Sequence, residues 1–477
     1  MSETLTFSQC LIKLMQKHAL SSADLAVFCG GRAELKKILS ESSTRSKRTR
    51  FFQNLCKSGL FSQEECLQME CALEASHLGV ENYKFQLGIR RILSGCPSPV
   101  FDPLRIEGGE TLKDRLEILK QADKVEIICI NCCFSSLISA LSPLFESPER
   151  DIQLWHLLHA NAFSNAAASF VGLTFPLLFD SRYLPYGIDI PVGGDVHSIG
   201  GNLLSIRAYF GTNELQFFFV ITDRSNAVEM INASEAKPFT FLSKTLRSLS
   251  PQPFPFKESP APNEDYTQLC MSYLSHELNR ATYSITNDLL FHQTPTDIAV
   301  ASLREKGIFS HETVEALIQR TAAIHEQRYQ NQYSKKKDTY RIMTYAGCKR
   351  FLQTGLCTDH FFGFRAFTPE ERKKIFGETI EYAQKNPHFI PLLIKDHSFE
   401  CKYNMIGYDK LGVSLDMADT DYNIEKGHHS VFLMFPEFTR QYMDFYLSTL
   451  VKEKCHSPQE SLELLINLYE QFVLENP

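Results

Sequence analysis

Two proline-rich segments constrain this chain more than any other feature, because clustered prolines interrupt regular secondary structure and separate regions of different pattern. The first segment, residues 95–110, holds Pro97, Pro99 and Pro103, and the second, residues 250–263, holds five prolines. A length of 477 residues also favours several domains over one. We therefore predict a multidomain protein with an all-α N-terminal domain, followed by two α/β units joined by a helical connection. The predicted regions between the linkers are residues 1–94, 111–249, 264–337 and 338–477.

Residues 1–94 have the apolar spacing of short amphipathic helices. One apolar stripe at helical spacing comprises Leu5, Cys10, Leu11, Leu14 and Met15. Ser21 and Asp24 are spaced like a capping box, which predicts the start of a second helix. Gly30 and Gly31 predict its end, and Arg32–Leu39 continues with an apolar inner side and a basic outer side. We read residues 42–50 as a polar, basic segment that precedes helices near 51–56, 63–76 and 81–93.

The regions 111–249 and 338–477 alternate strand-like and helix-like patterns, as expected of α/β units. Strands are predicted near 124–133, 152–158, 203–210, 215–222, 389–394, 411–416 and 430–435. Both regions end with an apolar strand before an amphipathic helix: residues 217–221 precede 239–249, and residues 431–435 precede 438–451. This similarity suggests an internal repeat. Residues 264–337 are predicted to be mostly helical.

Charge is distributed unevenly along the chain. Residues 1–60 contain ten Lys and Arg against four Asp and Glu, a balance of +6, whereas the whole chain carries −7 and the remainder therefore −13. A basic N-terminus on an acidic body indicates that a polyanion binds at the N-terminal end.

Residues 20–39 resemble the Cro/C1-type (XRE) helix-turn-helix family. The matching features are the polar cap Ser21, the acidic Asp24, the small Ala26 where two helices would cross, and the turn glycine Gly30. The resemblance implies that the second helix of this motif enters the major groove of double-stranded DNA. The residues that it implies at base edges are Arg32, Ala33, Lys36 and Lys37. Those expected to contact phosphates are Arg45, Lys47, Arg48 and Arg50.

No assembled catalytic site is evident, and we predict neither an enzyme nor a cofactor or metal. The pair Cys129 and Cys132 lies in an apolar run, which favours core packing over redox chemistry. Residues 416–423 resemble a calcium loop but lack its glycine and closing glutamate, so an acidic surface loop is expected. His428-His429 and His276-Glu277 lack the spacing of metal ligands. The glycine pairs at 193–194 and 200–201 are expected to be turns.

These patterns predict a cytoplasmic transcription regulator of the XRE family. The longest weakly polar stretch, residues 166–179, is shorter than the ~20 residues that a membrane helix needs, and we expect no membrane association. The two α/β units would sense a small-molecule or peptide effector, dimerise, or both; their plan loosely resembles non-catalytic phospholipase-D-like sensor domains. A homodimer is expected because such motifs usually read two half-sites. The alternatives are an enzyme whose site is assembled from distant residues, a protein-interaction scaffold, and a helical bundle with a solvated basic segment.

Overall fold

The structure is a computed structural model. It describes residues 5–94, 105–106, 110–130, 135–145, 147, 149–159, 182–188, 202–221, 227–231, 256–258, 274–289, 294–305, 315, 322–323, 325–331, 336–358, 365–418, 430–433 and 436–476.

The N-terminal region is helical, as predicted. Its helices are α1 (Phe7–Lys17), α2 (Ser22–Ala26), α3 (Arg32–Leu39), α4 (Arg45–Lys57), α5 (Gln63–Leu78) and α6 (Val80–Ser94). The predicted start of α2 is confirmed, because Asp24 accepts hydrogen bonds from the backbone N–H of Ser21 at 2.7 Å and from its hydroxyl at 2.6 Å. Helix α4 begins at Arg45, six residues before the predicted helix near 51–56. The basic segment is therefore largely helical.

Helices α1 to α5 pack around one apolar core. Its fully buried members include Phe7, Leu25, Leu35, Phe51 and Met69, so every one of the five helices contributes to it. The rings of Phe7 and Phe51 meet edge to face at 6.3 Å. This core holds α3 and the start of α4 in fixed positions on the surface.

Helix α6 packs against the α/β part of the molecule. The Phe85 ring lies 5.9 Å from Phe438 and 6.0 Å from Phe445, and the Lys402 N–H donates to the Leu93 carbonyl at 2.8 Å. One continuous core contains residues of α6 and of both α/β units. The helical N-terminal domain and the α/β region are thus connected through a packed helix.

The first α/β unit contains a seven-stranded sheet with the order β1-β7-β6-β5-β2-β3-β4. Strands β2, β3 and β4 are parallel, and β5, β6 and β7 follow as antiparallel neighbours. The strands are β1 (Arg105–Ile106), β2 (Lys124–Ile130), β3 (Asp151–His159), β4 (Tyr183–Ile188), β5 (Asn202–Phe210), β6 (Asn213–Ile221) and β7 (Ala227–Met230). The described helices are α7 (Leu112–Leu116), a 3-10 turn (Glu117–Gln121) and α8 (Ser135–Phe145).

The second α/β unit contains another seven-stranded sheet, with the order β11-β10-β9-β12-β13-β14-β8. Its strands are β8 (Phe256–Glu258), β9 (Thr282–Ile285), β10 (Thr339–Met343), β11 (Phe389–Leu393), β12 (Tyr403–Tyr408), β13 (Gly412–Met417) and β14 (Ser430–Leu433). Its helices are α9 (Thr296–Glu305), α10 (Tyr345–Thr354), α11 (Pro369–Lys385), α12 (Pro436–Phe445), a π-helical continuation (Tyr446–Lys454) and α13 (Pro458–Glu475). Residues 325–331 are also helical.

The two sheets share one strand order. The strands of each sheet are counted here in chain order. The second strand pairs in parallel with the third, and the third with the fourth. The fifth strand pairs antiparallel with the opposite edge of the second, and the sixth and seventh follow it as antiparallel neighbours. The first strand of each sheet pairs with the seventh, in parallel for β1 and antiparallel for β8. The α/β region is therefore built from two units of the same topology.

Beyond strands that the sequence analysis did not predict, such as β4, β10 and β12, two differences concern the predicted regions and linkers. Residues 264–337 were predicted to be mostly helical, yet they contribute β9 to the centre of the second sheet. The strand is only four residues long, Thr282–Ile285, too short to produce a clear periodicity. In addition, each predicted proline-rich linker contains a short edge strand, β1 in the first and β8 in the second.

Candidate functional site

The residues expected to contact DNA lie mainly on the exposed sides of α3 and α4. Seven of the eight are exposed: Arg32, Ala33, Lys36, Lys37, Arg45, Lys47 and Arg50. Leu35 and Ile38 are each 1% exposed and anchor the opposite side of α3 in the core. The amphipathic pattern of α3 therefore directs its basic residues to solvent.

The turn between α2 and α3 depends on its two glycines. Gly30 and Gly31 have φ values of 89° and 119°, in the region where a side chain would be strained. Ala26, expected at the crossing of two helices, is 6% exposed and lies in the core. These residues fix the angle at which α3 leaves the bundle core.

One acidic side chain lies among these cations. The Lys47 ammonium is 2.8 Å from a Glu34 carboxylate oxygen and Lys37 is 3.8 Å from the other, so the pair Lys47–Glu34 joins α4 to α3. The hydrogen bond from Lys47 lowers the pKa of Glu34. Glu34 is therefore charged at neutral pH and partly offsets the positive surface.

Arg48 does not share this surface. It is only 9% exposed, because in a helix that begins at Arg45 the positions 48, 51 and 55 lie on one side, and Phe51 and Leu55 place that side in the core. The expectation of an exposed Arg48 came from reading residues 42–50 as a polar segment without helical spacing. Arg48 is therefore not part of the exposed basic surface.

A second candidate site is a buried polar cluster at the carboxyl end of β9 and β10. In open α/β sheets, ligands usually bind beyond the carboxyl ends of the strands, where neighbouring connections leave in opposite directions. Here β9 pairs with the parallel β10 on one side and with the antiparallel β12 on the other. Polar side chains that are at most 1% exposed collect at this end: Asn287, Asp288, Thr344, Thr358 and Asn404.

Hydrogen bonds order this cluster. The Asn287 amide donates to the Cys401 carbonyl at 2.7 Å and accepts from the Cys401 N–H at 2.6 Å. An Asp288 oxygen accepts from the N–H and hydroxyl of Thr358, at 3.1 and 3.2 Å. The Asn404 Nδ2 reaches the Thr358 hydroxyl at 3.4 Å, whereas its Oδ1 is buried with no hydrogen-bond partner among the described residues. An unpaired buried carbonyl oxygen of this kind is an acceptor that a ligand could use.

Two cysteines border the cluster. Burial raises the pKa of the Cys348 and Cys401 thiols, and the nearby Asp288 raises both further. Both thiols are therefore neutral at physiological pH and unsuited to act as nucleophiles.

The other residues that the sequence analysis considered either pack inside the protein or lie outside the described residues. Cys129 lies in β2 and is 2% exposed, while Cys132 is outside the described residues. The His276 ring stacks on Phe432 at 4.2 Å, and Glu277 pairs with Arg328 at 2.8 Å. The calcium-like loop beyond residue 418, His428-His429 and the glycine pairs at 193–194 and 200–201 also lie outside the described residues.

Two further searches concern metals and membranes. Within the described ranges, His, Cys, Asp and Glu side chains form no group of three that could hold a metal ion. None of the helices in those ranges has the length and apolar character to cross a membrane.

Comparison with known proteins adds little to this geometry. No protein-family model matches the chain, and no curated protein matches it. A solved structure of phosphatidylserine synthase from Haemophilus influenzae Rd KW20 is similar to it at 9% identity and a TM-score of 0.27, over 76% of this chain and 90% of that one. A similarity of this degree carries no argument about function.

Proposed function

We propose that this chain is a DNA-binding transcription regulator. Its N-terminal helical domain contacts double-stranded DNA through the exposed basic surface of α3 and α4, and its α/β region binds an effector and dimerises. The observation that carries the proposal is that two consecutive helices, joined by the ion pair Lys47–Glu34, together expose six cations. The six are Arg32, Lys36, Lys37, Arg45, Lys47 and Arg50.

The arrangement suits two kinds of contact. Arg32 and the exposed Ala33 lie in the first turn of α3, the part of a recognition helix that reaches base edges. Arg45 and Arg50 lie on α4 and are free to contact the phosphate backbone, which supplies affinity without reading sequence. Sequence recognition is thus assigned to α3 and electrostatic attraction to both helices.

The α/β region contributes the regulatory part of the proposal. The polar cluster around Asn404 is the candidate effector site, since it combines an ordered network with an acceptor that the described residues leave unpaired. Effector binding there would reach the N-terminal domain through α6, whose Leu93 accepts a hydrogen bond from Lys402, two residues before Asn404.

The experiment is duplex binding measured by fluorescence anisotropy at 50 mM salt. Replacing Arg32, Lys36 and Lys37 together by Ala should weaken binding at least tenfold, because each lost phosphate or base contact removes attraction to the polyanion. The control replaces Lys13, an exposed cation of α1, by Ala and should leave the affinity within about twofold. Equal losses in both variants would show general attraction and contradict a defined interface.

A further inference from the structure

The first turn of α4 leaves its backbone donors uncapped. Thr44 precedes the helix in an extended conformation, but its hydroxyl bonds to that of Ser46 at 3.3 Å and does not cap the helix. The first N–H of the helix with an intrahelical acceptor is that of Arg48, which donates to the Thr44 carbonyl at 3.1 Å. The amides of residues 45–47 therefore point their donors outward, and the first turn contains no acidic residue. Such a helix end attracts anions.

A buried arginine supplies an independent observation at this place. Arg48 is 9% exposed, and its Nε has no hydrogen-bond partner among the described residues. Because side chains of a helix lean toward its N-terminus, the Arg48 side chain extends over the first turn of α4. The Ser43 hydroxyl, in the segment just before the helix, is also 9% exposed and without a partner in the described part of the chain. A buried guanidinium N–H without an acceptor costs free energy unless an anion completes it.

His77, near the end of α5, is the third residue here with a buried polar atom that lacks a partner in the described part of the chain. Its Nε2 is buried and has no partner among the described residues. Burial lowers the pKa of His77, Arg45 and Arg48 lower it further, and Glu74 acts in the opposite direction. The hydrogen bond from the Ser76 hydroxyl to Glu41, four residues before α4, places this end of α5 beside the start of α4.

The acidic residues on neighbouring segments are engaged elsewhere. Glu74 pairs with Arg90 at 3.5 Å, and Glu41 accepts from the Ser76 hydroxyl at 3.4 Å. Neither of these contacts provides the acceptor that Arg48 lacks. Among the described residues, Arg45 and Arg48 therefore form no ion pair, whereas Lys47 in the same turn pairs with Glu34.

We propose that the start of α4, with Ser43, Arg45, Arg48 and His77, binds one phosphate group, and that this group belongs to the DNA backbone. The inference rests on the proposed function and deepens it, because it adds a specific, partly buried contact to a surface otherwise held by exposed cations. A helix N-terminus with a guanidinium, a hydroxyl and an imidazole on the adjoining segments offers several donors, which suits a tetrahedral oxyanion better than chloride. A phosphate held by a helix N-terminus fixes the register of a protein on the duplex, so this contact would orient α3.

The first arm of the test measures thermal unfolding of the full chain in potassium phosphate and in potassium chloride of equal ionic strength. Phosphate should raise the melting temperature above that in chloride by more in the wild type than in Arg48→Gln, because the general stabilising effect of phosphate salts acts on both proteins and the site only on the wild type. Lys13→Gln, an exposed cation of α1, is the matched control and should respond like the wild type. Ser43→Ala provides a second variant that keeps the buried charge, should Arg48→Gln fold poorly.

The second arm measures binding of a random 20-base-pair duplex between 50 and 200 mM salt. Arg48→Gln should weaken binding about tenfold and make the logarithmic salt dependence shallower by about one, as expected for one lost phosphate contact. Lys13→Gln should change neither quantity. A wild-type slope and affinity in Arg48→Gln would overturn the inference.

The two proposals can fail separately. If the wild type binds duplex DNA through the exposed surface and Arg48→Gln behaves like it, the phosphate site is wrong and the proposed function stands. If the wild type binds no DNA but phosphate stabilises it through Arg48, the DNA assignment is wrong and the occupant is free phosphate or an acidic protein group. If phosphate raises the melting temperature of Arg48→Gln as much as that of the wild type and Arg48→Gln binds DNA normally, there is no such site.

Discussion

Glu65 is the residue on which the stability of the N-terminal domain depends most clearly. Its side chain accepts from Lys17 at 2.8 Å and from His18 at 2.7 Å, and its other oxygen accepts from the Ser62 N–H at 2.8 Å. Burial raises its pKa, but the hydrogen bonds from Lys17 and His18 outweigh this effect, and the pKa falls from 4.5 to about 2. The charged carboxylate thereby joins α1 to the start of α5.

Replacing Glu65 by Gln should lower the free energy of unfolding of this domain by about 3 kcal/mol at pH 7, the equivalent of the pKa shift. Because the pKa of Glu65 is lower in the folded state than in the unfolded state, its charged form stabilises the folded domain above about pH 4.5. This contribution is lost as the pH falls toward 2. The difference between variant and wild type should therefore shrink at pH 3. Hydrogen exchange of peptides from α1 and α5 measures this difference in stability.

The control is Glu64→Gln, an exposed acid in the same first turn. It should change the exchange only slightly. Equal effects of the two substitutions would mean that the contacts of the buried Glu65 carboxylate do not carry the stability.

Gly347 is a residue whose role lies in close packing. A Cβ at this position would lie 2.2 Å from the backbone oxygen of Asn287, which also accepts from the N–H and hydroxyl of Thr344 at 3.1 Å. Gly347→Ala should therefore displace the Asn287 segment and destabilise the second α/β unit by about 2 kcal/mol. Faster hydrogen exchange across residues 339–358 would show this.

Gly377 in α11 provides the matched control, since the three atoms nearest to its Cβ would all belong to the Tyr469 side chain, the hydroxyl oxygen at 3.0 Å being the nearest, and not to backbone. Gly377→Ala should be neutral or stabilising, because a helical glycine costs up to about 1 kcal/mol relative to alanine. Unchanged exchange in Gly347→Ala would contradict the close approach of α10 to the polar cluster.

At the level of elements, sequence patterns predicted those with a strong local signal. The capping box at Ser21 and the apolar stripe of α1 define helices by contacts within a few residues, and both helices formed as expected. The first two turns of α4 were missed because Arg45 to Arg50 contain no apolar residue, although Arg and Lys favour helices. Only the buried positions Phe51 and Leu55 reveal the side that faces the core.

The two candidate sites also differ in how far the sequence could predict them. The exposed basic surface was predictable because its residues are close together in the sequence. The polar cluster was not, since Asp288 meets Thr358 across 70 positions and Asn287 meets Cys401 across 114. Buried hydrogen bonds between distant residues leave no periodic pattern in one sequence.

Removing a negative charge from the surface formed by α3 and α4 should change the DNA affinity in the opposite direction from removing a cation. Glu34→Gln removes the acidic side chain that pairs with Lys47 at 2.8 Å. DNA binding should strengthen by roughly 1.5-fold to fivefold at 50 mM salt, the range expected for one exposed charge interaction. Fluorescence anisotropy with the same duplex measures the change.

Glu64→Gln removes an exposed acid outside this surface and serves as the control. If both substitutions strengthen binding equally, net charge and not the α3–α4 surface determines the affinity.

For the whole molecule, the repeated topology of the α/β region is the main feature. The apolar run 217–221 and the run 431–435 suggested a repeat, but the strand order equates β6 with β13 and β7 with β14. The run 217–221 lies in β6 and therefore corresponds to β13, whereas the sequence comparison had matched it to the following strand, β14. Strand order depends on pairings between distant segments, which local hydrophobic patterns do not encode.

A regulator that reads two half-sites should be a dimer. Light scattering coupled to size exclusion should therefore give twice the chain mass of 54.5 kDa at micromolar concentration. A monomer that stays monomeric on duplex DNA would contradict the dimeric part of the proposal.

The central claim, that the N-terminal domain binds duplex DNA through α3 and α4, is tested most directly by the salt dependence of the wild-type chain on a random duplex. Six cations offset by one acid predict about five phosphate contacts, and hence a slope of log affinity against log salt concentration of roughly −4 to −5. A slope in this range that becomes shallower when Arg45 and Arg50 are replaced by Ala would support the account. No measurable binding at 50 mM salt, or a slope near zero, would contradict it.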